Sequence, residues 1–331
     1  MVCGLLGRIL GHSYSPQIHQ KLSDYDYNLF EVEPENLESF LKETDFTGLN
    51  VTIPYKKDVI PFLDELSPVA QRLGAVNTIV RRKDGSLIGH NTDYFGFRTM
   101  VSHSSISVKG KKALVLGSGG ASSMAVAALQ DLGAQVVVIS RTGENNYENL
   151  SIHRDAALLV NATPVGMYPK VGISHVDLNL LPHLEGVLDL VYNPARTRLL
   201  LDAEKKGLKT ENGLLMLVAQ AWESAQWFTG TSIPEENRCC PQRSLQTVHK
   251  GVSYFYRVPE RHLSGTRAAR HQAGRQDSGS AGRSVRSDGE DHNFLPGLRS
   301  RRRWRSPWKT DSRAWREFRT LFSGTPLRLH F

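Results

Sequence analysis

The chain has 331 residues, 40% hydrophobic and 22% charged, which is room for two domains with sizeable cores. No stretch approaches the roughly 20 apolar residues of a membrane span, and the glycine-broken start MVCGLLGRILGHSYSP lacks the continuous apolar region of a secretion signal, so no membrane partner is expected. The net charge of +8 hides two compositions: up to position 236 the balance is near −5, and beyond it near +13, with about 18 arginines against 2 lysines.

The first part reads as alternating strands and helices. GLLGRI opens as a strand. SPQIHQKLSDYD follows as a helix with Ser15 as N-cap and Pro16 at its first position. YNLFEVE, PENLESFLKETD and GLNVTI give strand, helix and strand. PYKKDVIPFLDEL and SPVAQRLG are short helical pieces cut by proline, and AVNTIVRRKDGSLIGHNTD is a hairpin turned at Asp84-Gly85. The register then changes. KKALVLG is a buried strand, GGASSMAVAALQDLG a helix closed by Gly133, and AQVVVISRT, AALLVNAT and GVLDLVYN further strands. KGLKTENGLLMLVAQAWESAQWFTG ends the ordered part as a long amphipathic helix. The pattern predicts an α/β protein with parallel sheets.

The loop GSGGA follows a buried strand and opens a helix. Glycines at 117, 119 and 120 allow a tight bend and let a pyrophosphate reach the helix N-terminus, the arrangement of a dinucleotide-binding turn. The sixth position of that pattern is Ser122 rather than glycine. About twenty residues on, the next strand ends in Ser140-Arg141-Thr142. An acidic residue there suits the ribose of NAD, whereas Arg141 suits the 2′-phosphate of NADP.

Polar clusters precede that loop: HSYSPQIH, GLNVTIPYKKD, GAVNTI and GHNTDYFGF. With the glycine loop, NATPVGM and GLLMLVAQ, they make seven ordered motifs over residues 4–232. In order and spacing the chain resembles shikimate dehydrogenase, the family that reduces 3-dehydroshikimate with NADPH. Gln20 stands where asparagine is usual. The resemblance implies a two-domain α/β fold, with an N-terminal α/β substrate domain at 1–98 completed by a helix at 211–232. A Rossmann-like NADP-binding domain takes 99–210.

Capture of a carboxylate needs neutral donors or a cation. Ser13 and Ser15 lie two apart in a loop, and Thr52 adds a third hydroxyl; the resemblance implies that these hold the substrate carboxylate. A lysine beside a carboxylate can pass a proton to an alcohol oxygen as hydride moves. The resemblance pairs Lys56 as acid/base with Asp93, leaving Lys57 a solvated surface charge. It assigns Asn77 and Gln220 to the substrate and Tyr192 to the border of the nicotinamide end, whereas Asn50 reads equally as a structural amide. His12 and His19 read as local hydrogen-bonding residues. For the cofactor, NADP(H), the expected set is Gly117, Ser118, Gly119, Gly120, Ala121, Ser140, Arg141, Thr142, Thr163, Pro164, Gly166, Met167, Gly213 and Met216. No His/Cys/Asp cluster has metal spacing, so no metal is expected.

The expected partner is therefore a small molecule, handled by a monomer or homodimer. The cysteines Cys3, Cys239 and Cys240 form no spaced framework, which points to a reduced, cytoplasmic compartment. The alternatives are an NAD-using quinate/shikimate dehydrogenase and a non-catalytic NADP-binding regulator. Residues 237–331 admit three readings: a basic nucleic-acid arm, a disordered extension, or coding sequence read out of frame, the last being favoured. Codons for GRQDSG shifted by one base can read Gly-Gly-Lys-Ile-Val-Asp, similar to a shikimate kinase fragment. Nucleic acid is not the expected partner.

Overall fold

The computed structural model describes residues 1–11 and 13–233. The expectations for 237–331, for His12 and for Cys239 and Cys240 lie outside them.

The chain order is β1 (Val2–Gly7), α1 (Ser15–Leu22), β2 (Asp26–Glu31), α2 (Leu37–Glu43), β3 (Gly48–Val51), β4 (Glu65–Leu66), α3 (Pro68–Leu73), β5 (Thr78–Arg81), β6 (Leu87–His90) and α4 (Thr92–His103). It continues with β7 (Lys112–Leu116), α5 (Gly120–Asp131), β8 (Gln135–Ile139), β9 (Leu158–Asn161), β10 (Gly186–Asp189), α6 (Arg198–Lys205), β11 (Lys209–Asn212) and α7 (Leu214–Thr229).

Two sheets result. The first has the order β2-β1-β3-β5-β6-β4. In it β1 runs parallel to β2 and β3, and β5 is antiparallel to β3 and β6. Leu6 is opposite Val51, so the loops after β1 and β3 leave the sheet at the same edge. The second sheet is parallel throughout, in the order β11-β10-β9-β7-β8. Its neighbours change direction at β7, with β8 on one side and β9 on the other, and ligands of open parallel sheets sit beyond the carboxyl ends of the strands at such a point.

Alternation along β7 shows why this sheet is covered on both faces. Leu114 and Leu116 belong to one buried cluster with Ile139, Leu159, Val187 and Leu199. Ala113 and Val115 belong to another, with Met124 and Leu129 of α5 and Phe97 and Met100 of α4. Thus α4 packs on the second sheet's helix layer, and it runs across position 98. The halves are tied again at the surface. Arg72 of α3 grips Asp131 of α5 through both guanidinium nitrogens at 3.1 and 2.6 Å, and the Tyr94 hydroxyl donates to the same carboxylate.

Several boundaries differ from the sequence expectation. The N-cap of α1 is Tyr14, not Ser15, and makes no side-chain capping bond. The Ser15 N–H donates to Ser13 Oγ at 3.2 Å, so the chain turns into the helix one residue early and Pro16 stands second. PYKKDVIPFLDEL gives only turns, a 3₁₀ turn at Ile60–Phe62 and the short β4, because Pro54 and Pro61 each withdraw a backbone donor. KGLKTEN is the strand β11 rather than the start of the last helix; α7 spans Leu214–Thr229, not 211–232. Two helices absent from the sequence reading, α4 and α6, are capped by Asn91 and Thr197, whose side chains accept from Tyr94 N and Leu200 N. Among the described residues no helix is long and apolar enough to cross a membrane, and Cys3 is buried and unpaired.

Candidate active site

The helices α4, α5 and α7 and the loop after β3 enclose a cleft of about 580 Å³. Lys56 and Asp93 stand in it, with Lys56 Nζ donating to Asp93 Oδ2 at 2.6 Å. Asp93 is held by the N-terminus of α4, one residue after Thr92, where the helix dipole favours a carboxylate. Lys56 comes from the turn after β3, where cis Pro54 follows the strand.

Gly120 and Ala121 at the start of α5, Tyr192 after β10, Gly213 just before α7, and Met216 and Gln220 within α7 line the same cleft. Gly213 is there for space. A Cβ on it would lie 2.0 Å from the Leu190 carbonyl oxygen, so only glycine lets α7 begin against the β10 loop. The Gln220 amide nitrogen donates to the Leu217 carbonyl at 2.9 Å, so its own helix supplies the partner a polar residue in an apolar stretch requires.

The glycine loop separates two reasons for glycine. Gly117 has φ +106 and presses on Ala162 and Thr163; both conformation and space demand it. A Cβ on Gly119 or Gly120 would meet no protein atom within 4 Å. Packing inside the chain therefore does not call for glycine at these two, and they leave a cradle in front of the α5 N-terminus, which no side chain caps. That cradle and its free N–H groups fit a pyrophosphate. Ser122, at the position where the pattern has a third glycine, donates from Oγ to the Gly117 carbonyl at 2.6 Å and closes the turn.

A buried node holds the NATP loop. Asp189, fully buried at the end of β10, accepts from Thr197 Oγ1 at 2.6 Å, Asn161 Nδ2 at 2.9 Å and Val191 N at 3.0 Å. Burial raises its carboxyl to about 6 against these three donors. Asn161 Oδ1 in turn accepts from Thr163 N and Oγ1, at 3.1 and 2.6 Å, so one carboxyl sets the NATP loop and the start of the Tyr192 loop together.

The structure places the remaining expected residues as follows. Ser13, Ser15, Thr52 and Asn77 are not in the lining of the Lys56 cleft. Ser13 on the loop after β1 and Ser15 at the start of α1 flank Tyr14, whose ring meets Tyr192 edge-on at 5.8 Å. The Asn77 amide faces inward, accepting from Thr92 N at 2.6 Å and donating to Thr92 Oγ1 at 3.0 Å. Ser118 borders a neighbouring groove with Arg72, and Thr163 a small hollow with Tyr147 and His175. Ser140 is half-buried and Gly166 buried, while Arg141, Thr142, Pro164 and Met167 are exposed.

Lys57 is exposed, as a surface charge should be, and also borders the cleft. Asn91 and Met124 line it too and were missed. Asn91 was legible as an Asn immediately before Thr-Asp at a helix start. Nothing in its local sequence sets Met124 apart from the other apolar residues of α5. His19 is fully buried, its Nδ1 2.6 Å from the Tyr25 hydroxyl, its ring stacked on Tyr27 at 4.0 Å and its Nε2 without a partner. Burial presses its imidazole down to about 3. Among the described residues no group of His, Cys, Asp and Glu could hold a metal ion.

Comparison with known proteins points one way. Residues 5–79 match the profile of the shikimate dehydrogenase substrate binding domain. The shikimate dehydrogenase (NADP(+)) of Clostridium beijerinckii is 39% identical over 251 residues, covering 67% of this chain and 92% of that one. The fold superposes on a chorismate mutase/shikimate 5-dehydrogenase fusion protein from Clostridium acetobutylicum with a TM-score of 0.71 at 38% identity, over 75% of this chain and 98% of that one. It also matches shikimate 5-dehydrogenase from Thermus thermophilus in complex with NADP(H) and shikimate, with a TM-score of 0.64 at 34% identity, over 72% and 97%.

Proposed function

The chain belongs to the shikimate dehydrogenase family, and we propose that it catalyses the reversible reduction of 3-dehydroshikimate to shikimate. The balance is ketone plus NADPH plus a proton giving alcohol plus NADP⁺. NADPH supplies the hydride to the ring carbonyl carbon; the chain supplies the proton, the geometry and the exclusion of water.

The observation that carries this reading is the Lys56–Asp93 pair at 2.6 Å in a cleft that the N-terminus of α5 also lines. Lys56 Nζ gives its proton to the carbonyl oxygen in reduction and takes it back in oxidation. Asp93 holds the ammonium in place and accepts from a substrate hydroxyl. Ser13, Ser15 and Thr52 receive the carboxylate on loops leaving the same sheet edge as Lys56, with Asn77 and Gln220 setting the ring. Residues 1–98 with α7 form the substrate half, and 99–210 the NADP(H) half. Gly119 and Gly120 admit the pyrophosphate, Arg141 meets the 2′-phosphate, Thr163, Pro164, Gly166 and Met167 pack on the nucleotide, and Gly213, Met216 and Tyr192 meet the nicotinamide. The buried thiol of Cys3 suits a reducing, cytoplasmic setting, and the small substrate needs no more than a monomer or homodimer.

The test is the initial rate of shikimate oxidation with NADP and with NAD, and of quinate oxidation with each. Turnover of shikimate mainly with NADP supports the reading. Preference for NAD or quinate replaces it with the sister activity, and NADP binding without any turnover replaces it with a regulator.

A further inference from the structure

Beneath the substrate half lies a polar hub with almost no exposure. Ser224 of α7 and Thr78 of β5 are fully buried; Asn77, Thr92 and Asn50 are 2%, 2% and 4% exposed. Ser224 Oγ is its centre. It donates to the Gln220 carbonyl at 2.8 Å, receives Asn50 Nδ2 at 2.8 Å, and lies 3.0 Å from both Thr78 Oγ1 and Thr92 Oγ1. Thr78 and Thr92 both reach Asn77 Oδ1 at 3.2 Å. Asn50 Oδ1 receives the Tyr27 hydroxyl at 2.7 Å. Burial drives that phenol well above its ordinary value, with the Ser15 hydroxyl acting in the opposite direction.

A hub of this kind is costly in a dry interior unless every member is bonded, and leaving one partner out costs more than the bond was worth. Here each hydroxyl proton and each amide has somewhere to go. The residues come from β3, β5, α4 and α7, and each stands next to a group assigned to the substrate: Asn50 two before Thr52, Thr78 beside Asn77, Thr92 beside Asp93, Ser224 one turn after Gln220. None comes from the second sheet. Local sequence fixes each neighbour pair; Ser224 and Thr78 each connect all four elements, and Ser224 is the member that α7 contributes.

We propose that Ser224 is a positioning residue for the substrate: its hydroxyl sets the distance between Gln220 on α7, Asp93 on α4 and the Thr52–Lys56 turn, without touching substrate or cofactor. The inference rests on the shikimate dehydrogenase reading above and extends it. It makes the last helix of the described fold part of substrate recognition through its buried side as well as through Gln220.

The experiment measures kcat, the KM for shikimate and the dissociation constant for NADP in the full chain for the wild type, Ser224→Ala, Ser224→Cys and Phe228→Leu. Phe228 lies on the same helix and packs on Gly48, so its shortening loosens α7 without touching the hub. The expected result for Ser224→Ala is a KM for shikimate raised roughly tenfold, the order of one buried hydrogen bond left unmade, with NADP affinity unchanged. Ser224→Cys, which keeps the volume and a weak donor, falls between it and the wild type and serves alone if the alanine variant does not fold. Phe228→Leu lowers the melting temperature but leaves the KM near the wild type. A KM unchanged in both Ser224 variants, or raised equally by Phe228→Leu, overturns the proposal. A wild type that does not turn over shikimate overturns the functional reading instead.

Discussion

A Cβ on Gly96 of α4 would lie 2.6 Å from the carbonyl oxygen of Met216 on α7 and 3.1 Å from Gln220 Cβ. The two helices cross there with backbone against backbone, and that crossing puts Asp93 and Gln220 on one cleft. Gly96→Ala therefore meets a helix carbonyl that cannot swing aside. The expected cost is about 1–3 kcal/mol, as for overpacked cores, together with a raised KM for shikimate. Thermal melts and steady-state kinetics check it; a variant matching the wild type in both would show that the helices can part freely.

Lys56→Ala removes the proposed proton donor and leaves Asp93 without its ammonium. The expected loss in kcat is roughly 10²–10⁴-fold, the usual worth of a positioned acid or base, with NADP affinity kept because Lys56 is not among the residues proposed to hold the cofactor. Asp93→Asn keeps the shape and loses the charge, so it raises KM as well as lowering kcat. Equal loss of NADP binding in Lys56→Ala would point to collapse of the cleft rather than lost chemistry.

Arg141 follows β8 and is exposed, free to meet a 2′-phosphate. Arg141→Ala is expected to weaken NADP by roughly tenfold or more, since charge-assisted bonds to phosphate are the strong ones, and to leave NAD unaffected. The KM ratio of the two cofactors reads it. A ratio unchanged by the substitution would place 2′-phosphate recognition elsewhere.

Acid stability follows from four buried groups, His19, His90, His153 and Asp189, with burial lowering His153 in the same sense as the other two histidines. Burial holds His19 down to about 3 and His90 to about 4, from 6.5. Below 6.5 the unfolded chain binds protons that the native imidazoles refuse, so each contributes stability that is full above that pH and lost on acidification. Asp189 acts the other way: raised from 3.8 to about 6, its contribution is present below 3.8 and lost as pH rises through 6. The histidines outweigh the one carboxyl, so stability falls on acidification between pH 6 and 4. Urea unfolding across that range should show it, and His90→Gln should flatten it; a slope rising toward acid would contradict the balance.

The elements read best where a local rule decides. Gly-Ser-Gly-Gly-Ala after an apolar strand was bound to be a strand-to-helix turn, and Ser67 with Pro68 marked α3, whose Ala70 N–H the serine accepts. The misreadings arose where a neighbour decided. Ser15 lost its capping role because Ser13 reached its N–H first. KGLKTEN became β11 because β10 offered it a parallel partner in register from Gly186. The polarity of α4's first residues concealed a face, Phe97 and Met100, that becomes apolar only when α5 is laid against it.

By itself the sequence determined the class of fold, the order of the motifs and the glycine loop, because each depends on spacing along the chain, and the resemblance those motifs carry implied that Lys56 meets Asp93. The tertiary structure decided what those motifs are to one another. It turned Asn77 inward onto α4, brought Lys57 and Asn91 to the cleft, and gathered Asn50, Thr78, Thr92 and Ser224 around a single hydroxyl. The contacts that Ser224 makes across that hub join residues 174, 146 and 132 positions apart. No local pattern encodes such separations; only the packing of α7 back against the first sheet closes them.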